Sequence, residues 1–247
     1  KNQIVPTPFG RELFEASSLA LKSLEDVALK IRSIHGELHG ELRLGLPVEF
    51  GVNQIMPLIG EFSRKHPKVR FKIKLDFGTI VEADLLKGDL DLGVVDEMKL
   101  SPKIKSKTIF QENLELCAHE NLLPKLGKGE HKASAYLELP YVEYLDSHVL
   151  LGRWFLHHYK IEKPRLKVIA TVMDVQAIMK LIAGGLGAGI VPGYLLAGLQ
   201  LQESKVKRIK GKGEALSNTL SLVWLEERGH SATALAFRDF VLQRFNA

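Results

Sequence analysis

Residues 69–95 read VRFKIKLDFGTIVEADLLKGDLDLGVV, and this stretch decides the fold class. Val69, Phe71, Ile73 and Leu75 alternate with Arg70, Lys72, Lys74 and Asp76, so 69–77 has the period of a strand with one wet face. Residues 80–87 change to helical spacing, and the apolar run 90–95 reads as a buried strand. Just upstream, 41–46 reads as a strand. Residues 52–66 read as a helix whose apolar face is Ile55, Met56, Ile59 and Phe62, with Pro57 in its first turn or kinking it. Strand–helix–strand–helix–strand order implies right-handed crossovers and a mainly parallel sheet. The class is α/β.

Downstream, 108–119 reads as a longer strand and the Gly- and Lys-rich 124–132 as a loop. A second series follows: strand 141–144, helix 149–159, strand 166–171, helix 175–183, strands 189–191, 206–209 and 220–225, and a closing amphipathic helix 231–245. Two similar halves with a helix left over imply two Rossmann-like lobes that share strands. Upstream, Thr7 is a good N-cap and Pro8 fits the first helical position. Leu13, Ser17, Ala20, Leu24, Val27, Ile31, Ile34 and Leu38 then follow heptad steps, with Gly36 and Gly40 expected to end the helix. The plainer reading is an amphipathic helix packed on its own domain. The sharper one is a dimerisation helix whose contact residues are Leu13, Ala20, Leu24, Val27, Ile31 and Ile34.

Composition narrows the function classes. The chain has 247 residues with 45% hydrophobic and 26% charged side chains, an ordinary globular balance. The longest apolar stretch, 190–199, is too short to span a bilayer and is broken by Pro192, Gly193 and Gly198. Residues 1–6 lack the apolar core of a signal peptide. Cys117 is the single cysteine, so no internal disulfide and no cysteine-based zinc site is expected. The formal charge of +5 is a mild excess that fits acidic partners without requiring them.

Catalytic constellations are scarce. Gly185, Gly187 and Gly189 hint at a dinucleotide fingerprint, but they follow a helix and precede a strand, the reverse of what a pyrophosphate site needs. They read as a helix C-cap and a turn. His157 and His158 are adjacent and point about 100° apart on a helix, so they cannot chelate together. Asp91 reads as a strand-start residue, and Cys117 as an inert core thiol. No catalytic residue, metal ligand or cofactor is assigned, and the chain reads as a non-enzyme.

A sensing site is the better expectation. In sheets of this kind ligands bind beyond the carboxyl ends of the strands, where helix N-termini supply N–H donors. That rule selects Pro47, Val48, Glu49 and Phe50; Gly78, Thr79 and Ile80; Asp146, Ser147 and His148; and Thr171, Val172, Met173 and Asp174. Thr79, Ser147 and Asp174 also read plainly as helix caps.

Several patterns, in order along the chain, carry a family resemblance: Thr7-Pro8-Phe9-Gly10, Gly40-Glu41-Leu42-Arg43-Leu44-Gly45, Met56-Pro57-Leu58-Ile59 with His66-Pro67, Leu85-Leu86-Lys87-Gly88-Asp89-Leu90-Asp91, and Gly185-Leu186-Gly187-Ala188-Gly189-Ile190-Val191-Pro192. The chain resembles the LysR-type transcriptional regulators. The resemblance implies a linker/dimerisation helix over 1–39 and an effector domain of periplasmic-binding-protein type II architecture. Its lobe I would take 40–116 with 222–247 returning to it, and its lobe II 117–221. It also implies an effector cleft at the segments above, a homodimer or homotetramer in the cytoplasm, and contacts with promoter DNA and RNA polymerase. The family's winged helix-turn-helix precedes the linker helix, and no such pattern occurs in these residues. Glu49 stands where the family usually has a small hydroxyl residue, and the segment between Gly45 and Pro57 is one residue longer than usual. An acid there argues against a simple dicarboxylate effector. A solute-binding protein of a transport system shares the two-lobed architecture and is the alternative reading.

Overall fold

The computed structural model describes residues 7–33, 37–123, 133–145, 149–198, 205–226 and 229–246, with side chains in the first helix described at 8–21, 23 and 24. The chain divides into two units, Lys1–Phe110 with Thr219–Ala247, and Gln111–Asn218. The crossings from one to the other fall inside two strands, β4 (Ile104–His119) and β9 (Leu216–Leu225).

Helix α1 is Pro8–Ser33. The Thr7 hydroxyl accepts the Gly10 N–H at 3.0 Å, as an N-cap should. Gly40 does not end this helix. It lies in β1 (His39–Leu46), because the ladder with β2 (Lys68–Leu75) reaches back to pair Gly40 with Val69. Ile34 and Gly36 lie outside the described residues.

The helix expected over 52–66 begins earlier and in three parts: α2 (Val48–Phe50), a π-helical turn (Gly51–Ile55) and α3 (Met56–Lys65). Proline supplies the reason. Pro57 has no N–H to give the preceding turn, and the widened turn closes instead through the Met56 N–H on the Gly51 carbonyl. The next elements are α4 (Gly78–Lys87) and β3 (Leu92–Val95).

In the first unit β1 pairs in parallel with both β2 and β3, and β9 runs antiparallel to β3. Helix α3 and the closing helix α9 (Ala232–Arg244) cover one face, where Leu42, Leu44, Leu46, Ile59, Phe62, Phe237 and Val241 form the core. Helix α4 covers the other through Val81 and Leu85. It approaches closely because β1 and β3 present glycines there. A Cβ on Gly45 would lie 2.5 Å from Leu90 Cδ1, and one on Gly93 2.5 Å from Val81 Cγ1. The turn after α4 is tied to the sheet by Arg43. Its guanidinium forms a two-pronged pair with Asp91 and donates to the Gly88 carbonyl at 3.1 Å. Asp91 thus precedes β3, as the sequence reading had it, with a specific partner.

The second unit holds β4 flanked by β7 (Gly189–Pro192) and β8 (Val206–Ile209), both antiparallel to it. Strands β5 (Pro140–Tyr144) and β6 (Lys167–Val172) pair in parallel, and Tyr141 bridges to Ala188. Two short helices, α5 (Ala133–Leu137) and α8 (Gly193–Gly198), accompany α6 (Val149–Tyr159) and α7 (Val175–Ala183). The α6 side chains Leu151, Trp154 and Phe155 pack on Leu114, Leu116, Tyr141 and Ile190. On the opposite face α7 packs through Ile178, Met179 and Ile182 on Cys117, Val142 and Val191. The expected loop 124–132 lies outside the described residues.

Candidate functional site

Because β1, β2 and β3 are parallel, their carboxyl ends at Leu46, Leu75 and Val95 share one edge of the first unit. The Asp76 N–H donates to the Leu46 carbonyl at 3.0 Å and holds two of these exits together. Pro47 then leads into α2, its carbonyl accepting the Gly51 N–H at 2.8 Å. Glu49 sits half-buried in the first turn of that helix, where a negative charge is favoured by the helix dipole. Val48 is likewise half-buried. Phe50 is not part of the edge. Only 2% of it is exposed, and its ring packs between Phe110 and Phe245 at centroid distances of 5.5 and 5.8 Å. Its apolar bulk is claimed by the core.

Beside this segment, α4 starts directly at Gly78, which is buried: a Cβ there would meet Met98 Sδ at 2.9 Å and Asp96 Oδ1 at 3.1 Å. Thr79 is not its cap. The N-cap residue is Phe77, with no side-chain bond across it, and Thr79 and Ile80 are exposed in the first turn. That arrangement leaves main-chain donors at the N-terminus for something other than a capping side chain. Leu75, Phe77 and Ile80 are exposed large apolar side chains at the same edge, and Val52 is another close by, next to Gly51. The sequence reading passed over all but Ile80. The available signal was an apolar alternation that continues to Phe77, past the end of the strand.

In the second unit β5 and β6 end side by side at Tyr144 and Val172. Thr171 is exposed, Val172 is half-buried and Met173 is 60% exposed. Asp174 is a true N-cap of α7, its carboxylate accepting the Ala177 N–H at 2.6 Å. Asp146, Ser147 and His148 lie outside the described residues, immediately after Leu145, whose φ of 63° is left-handed. Glu143, opposite Thr171 in the β5–β6 register and 2% exposed, was also missed. An acid inside the apolar run 141–144 was its signature.

The glycine-rich stretch is a turn, as expected. Gly184 caps α7, Gly185 takes φ 76°, and a Cβ on Gly187 or Gly189 would press on the β5 main chain at 3.0 and 2.9 Å. Burial pushes the Cys117 thiol up to about 12, which removes it from thiolate chemistry. Among the described residues no three His, Cys, Asp or Glu side chains gather as a metal site. At the first edge, the uncapped start of α4 lies beside exposed apolar side chains, the kind of lining that small-molecule sites use.

The family model described as the LysR substrate binding domain matches residues 35–246. This chain belongs to that family. Among curated relatives, the HTH-type transcriptional regulator YwbI of Bacillus subtilis is 27% identical over 203 residues, 81% of this chain and 65% of its own length. The chain thus spans a little under two thirds of that relative's length. Among solved structures, the effector binding domain of QuiR in complex with shikimate superposes with a TM-score of 0.67 at 20% identity, over 84% of this chain and 98% of that one. CrgA of Neisseria meningitidis, a LysR-type transcriptional regulator, does so with a TM-score of 0.71 at 14% identity, over 100% of this chain and 82% of that one. These likenesses show the periplasmic-binding-protein type II fold. Among the described residues no helix is long and apolar enough to cross a membrane.

Proposed function

We propose that the chain is the effector-sensing and dimerisation part of a LysR-type DNA-binding transcriptional regulator working in the cytoplasm. The carrying observation is the family match over 35–246, preceded by a helix whose apolar stripe is laid bare. Leu13 and Leu24 are 69% and 68% exposed, and Ala20 between them is exposed too. A second copy, as homodimer or homotetramer, covers that stripe. A small molecule held at the strand ends shifts an equilibrium between conformations of the chain and so repositions DNA-reading heads relative to promoter and RNA polymerase. DNA is read by a winged helix-turn-helix outside these residues. The chain performs no catalysis and needs no cofactor. The alternative, a solute-binding protein of a transport system, is not favoured, since the relatives are transcriptional regulators.

Glu49 shapes the choice of effector. Its carboxylate occupies the helix start where an anionic ligand would sit, so a simple dicarboxylate meets like charge. Calorimetry with a panel of acids and amines checks this, and tight carboxylate binding unaffected by Glu49→Ala overturns it. The reading as a whole is tested by the intact mass of the native protein. A mass several kilodaltons above 27.6 kDa, with N-terminal peptides of helix-turn-helix pattern, is expected. A native chain that starts at or near Lys1 removes the DNA-reading role.

A further inference from the structure

Among the described side chains of α1, Leu19 lies on the far side of the helix from Leu13 and Leu24, about 100° around from Ala20. It is 41% exposed, well below Leu13 or Leu24. Leu19 overhangs a groove of about 400 Å³ whose other walls are Leu86 of α4, Ser101 and Lys103 of the β3–β4 connection, and Leu225 at the end of β9. Those other walls are pinned to one another. The Ser101 N–H donates to Glu82 of α4 at 2.5 Å, and the Glu226 N–H donates to the Lys103 carbonyl at 3.0 Å. Lys105 adds an ion pair to Glu226 at 2.9 Å. Three sides of the groove are therefore one body, and α1 is the fourth.

We propose that this groove is the seat of α1, and that Leu19 is the latch by which the helix docks on the first unit. Leu86 remains 37% exposed, so the seat is open here and can close further over the three leucines. Seating fixes the tilt of α1. Helix α4 relays that tilt: its ten residues form a rod of about 15 Å with Leu86 near one end and Gly78, Thr79 and Ile80 at the other. Close packing of Val81 on Gly45 and Gly93 ties this rod to β1 and β3, so α4 and the sheet move as one piece against α1. A group bound at the α4 N-terminus thereby biases the seating of α1, a step that rests on the effector reading above.

The latch itself is tested without any effector. Cys117 is buried and inert, so introduced cysteines report alone. In the full chain, Leu19→Cys with Leu86→Cys should be joined within one chain by a short bis-maleimide about tenfold faster than Leu24→Cys with Leu86→Cys. Equal rates mean that α1 has no preferred seat and overturn the proposal. As a second measure, Leu86→Ala should speed amide exchange in the peptide covering 14–24 several-fold while leaving β1 and β3 protected. Unchanged exchange in α1 also overturns it. Failure of the effector reading would leave both results standing.

Discussion

Single residues show what their surroundings do to them. His158 is buried on α6 against Trp154 at a ring distance of 4.7 Å, and its Nδ1 donates to the Lys212 carbonyl at 2.8 Å. Burial holds its pKa below the usual imidazole range, and the charges of His157 and Lys160 push the same way. The Lys212 bond and Glu115 oppose them. A lowered folded pKa means that the fold favours neutral imidazole. The stability it contributes is complete above the unfolded value of about 6.5 and is lost as pH falls from there through the lowered folded value. Urea midpoints for the native chain should therefore drop between about pH 7.5 and 5, and those of His158→Gln should drop less. Parallel pH profiles would remove His158 from the account. Phe50 teaches the complementary lesson. Position after a strand made it a site candidate, yet an aromatic ring beside Phe110 and Phe245 contributes more by burial than it would at an edge.

At the scale of elements, the Arg43–Asp91 pair joins β1 to the turn between α4 and β3, with the side chains 19% and 11% exposed. Asp91→Asn weakens several charge-assisted bonds at once and should cost about 2 kcal/mol in urea unfolding. Replacing both residues by leucine should cost less than the sum of the two single changes, since neither charge is then stranded. Additive losses would mean that the pair acts separately. Elements with strong periodicity were legible in the sequence: α6, α7 and β8 have the bounds that spacing alone predicts. The short helices α5 and α8 were not. Five and six residues give too few turns for a period to show, and burial of Tyr136, Leu195 and Leu196 is what holds them. The candidate site was half legible for a similar reason. Strand order located its edges, but whether Thr79 caps a helix or merely follows Phe77 depends on one φ/ψ choice that composition leaves open.

For the whole molecule, the exposed apolar side chains of α1 are an unmet demand on a partner among the described residues. Phe9, Leu13, Phe14, Leu21 and Leu24 are all exposed large apolar side chains. Leu24→Glu should shift sedimentation of the chain toward the monomer. Losing about 1.5–3 kcal/mol of burial per copy raises the dimer Kd by roughly 100-fold or more. An unchanged assembly would assign self-association to another surface. The sequence showed the Leu13, Ala20 and Leu24 part of this surface, because heptad spacing survives without tertiary help; Phe9, Phe14 and Leu21 lie off that seam. It did not show Leu19, whose partners Leu86 and Leu225 lie far away in the chain.

The π-helical turn at Gly51–Ile55 has an evolutionary meaning as well as a geometric one. A π turn is an α-helix that has absorbed one additional residue without disturbing what flanks it. The segment between Gly45 and Pro57 can therefore gain or lose a single codon while β1 before it and the Ile59 and Phe62 contacts after it keep their places. The side chains presented at the β1 exit are thus free to change by insertion and deletion, under a scaffold that scarcely registers the change.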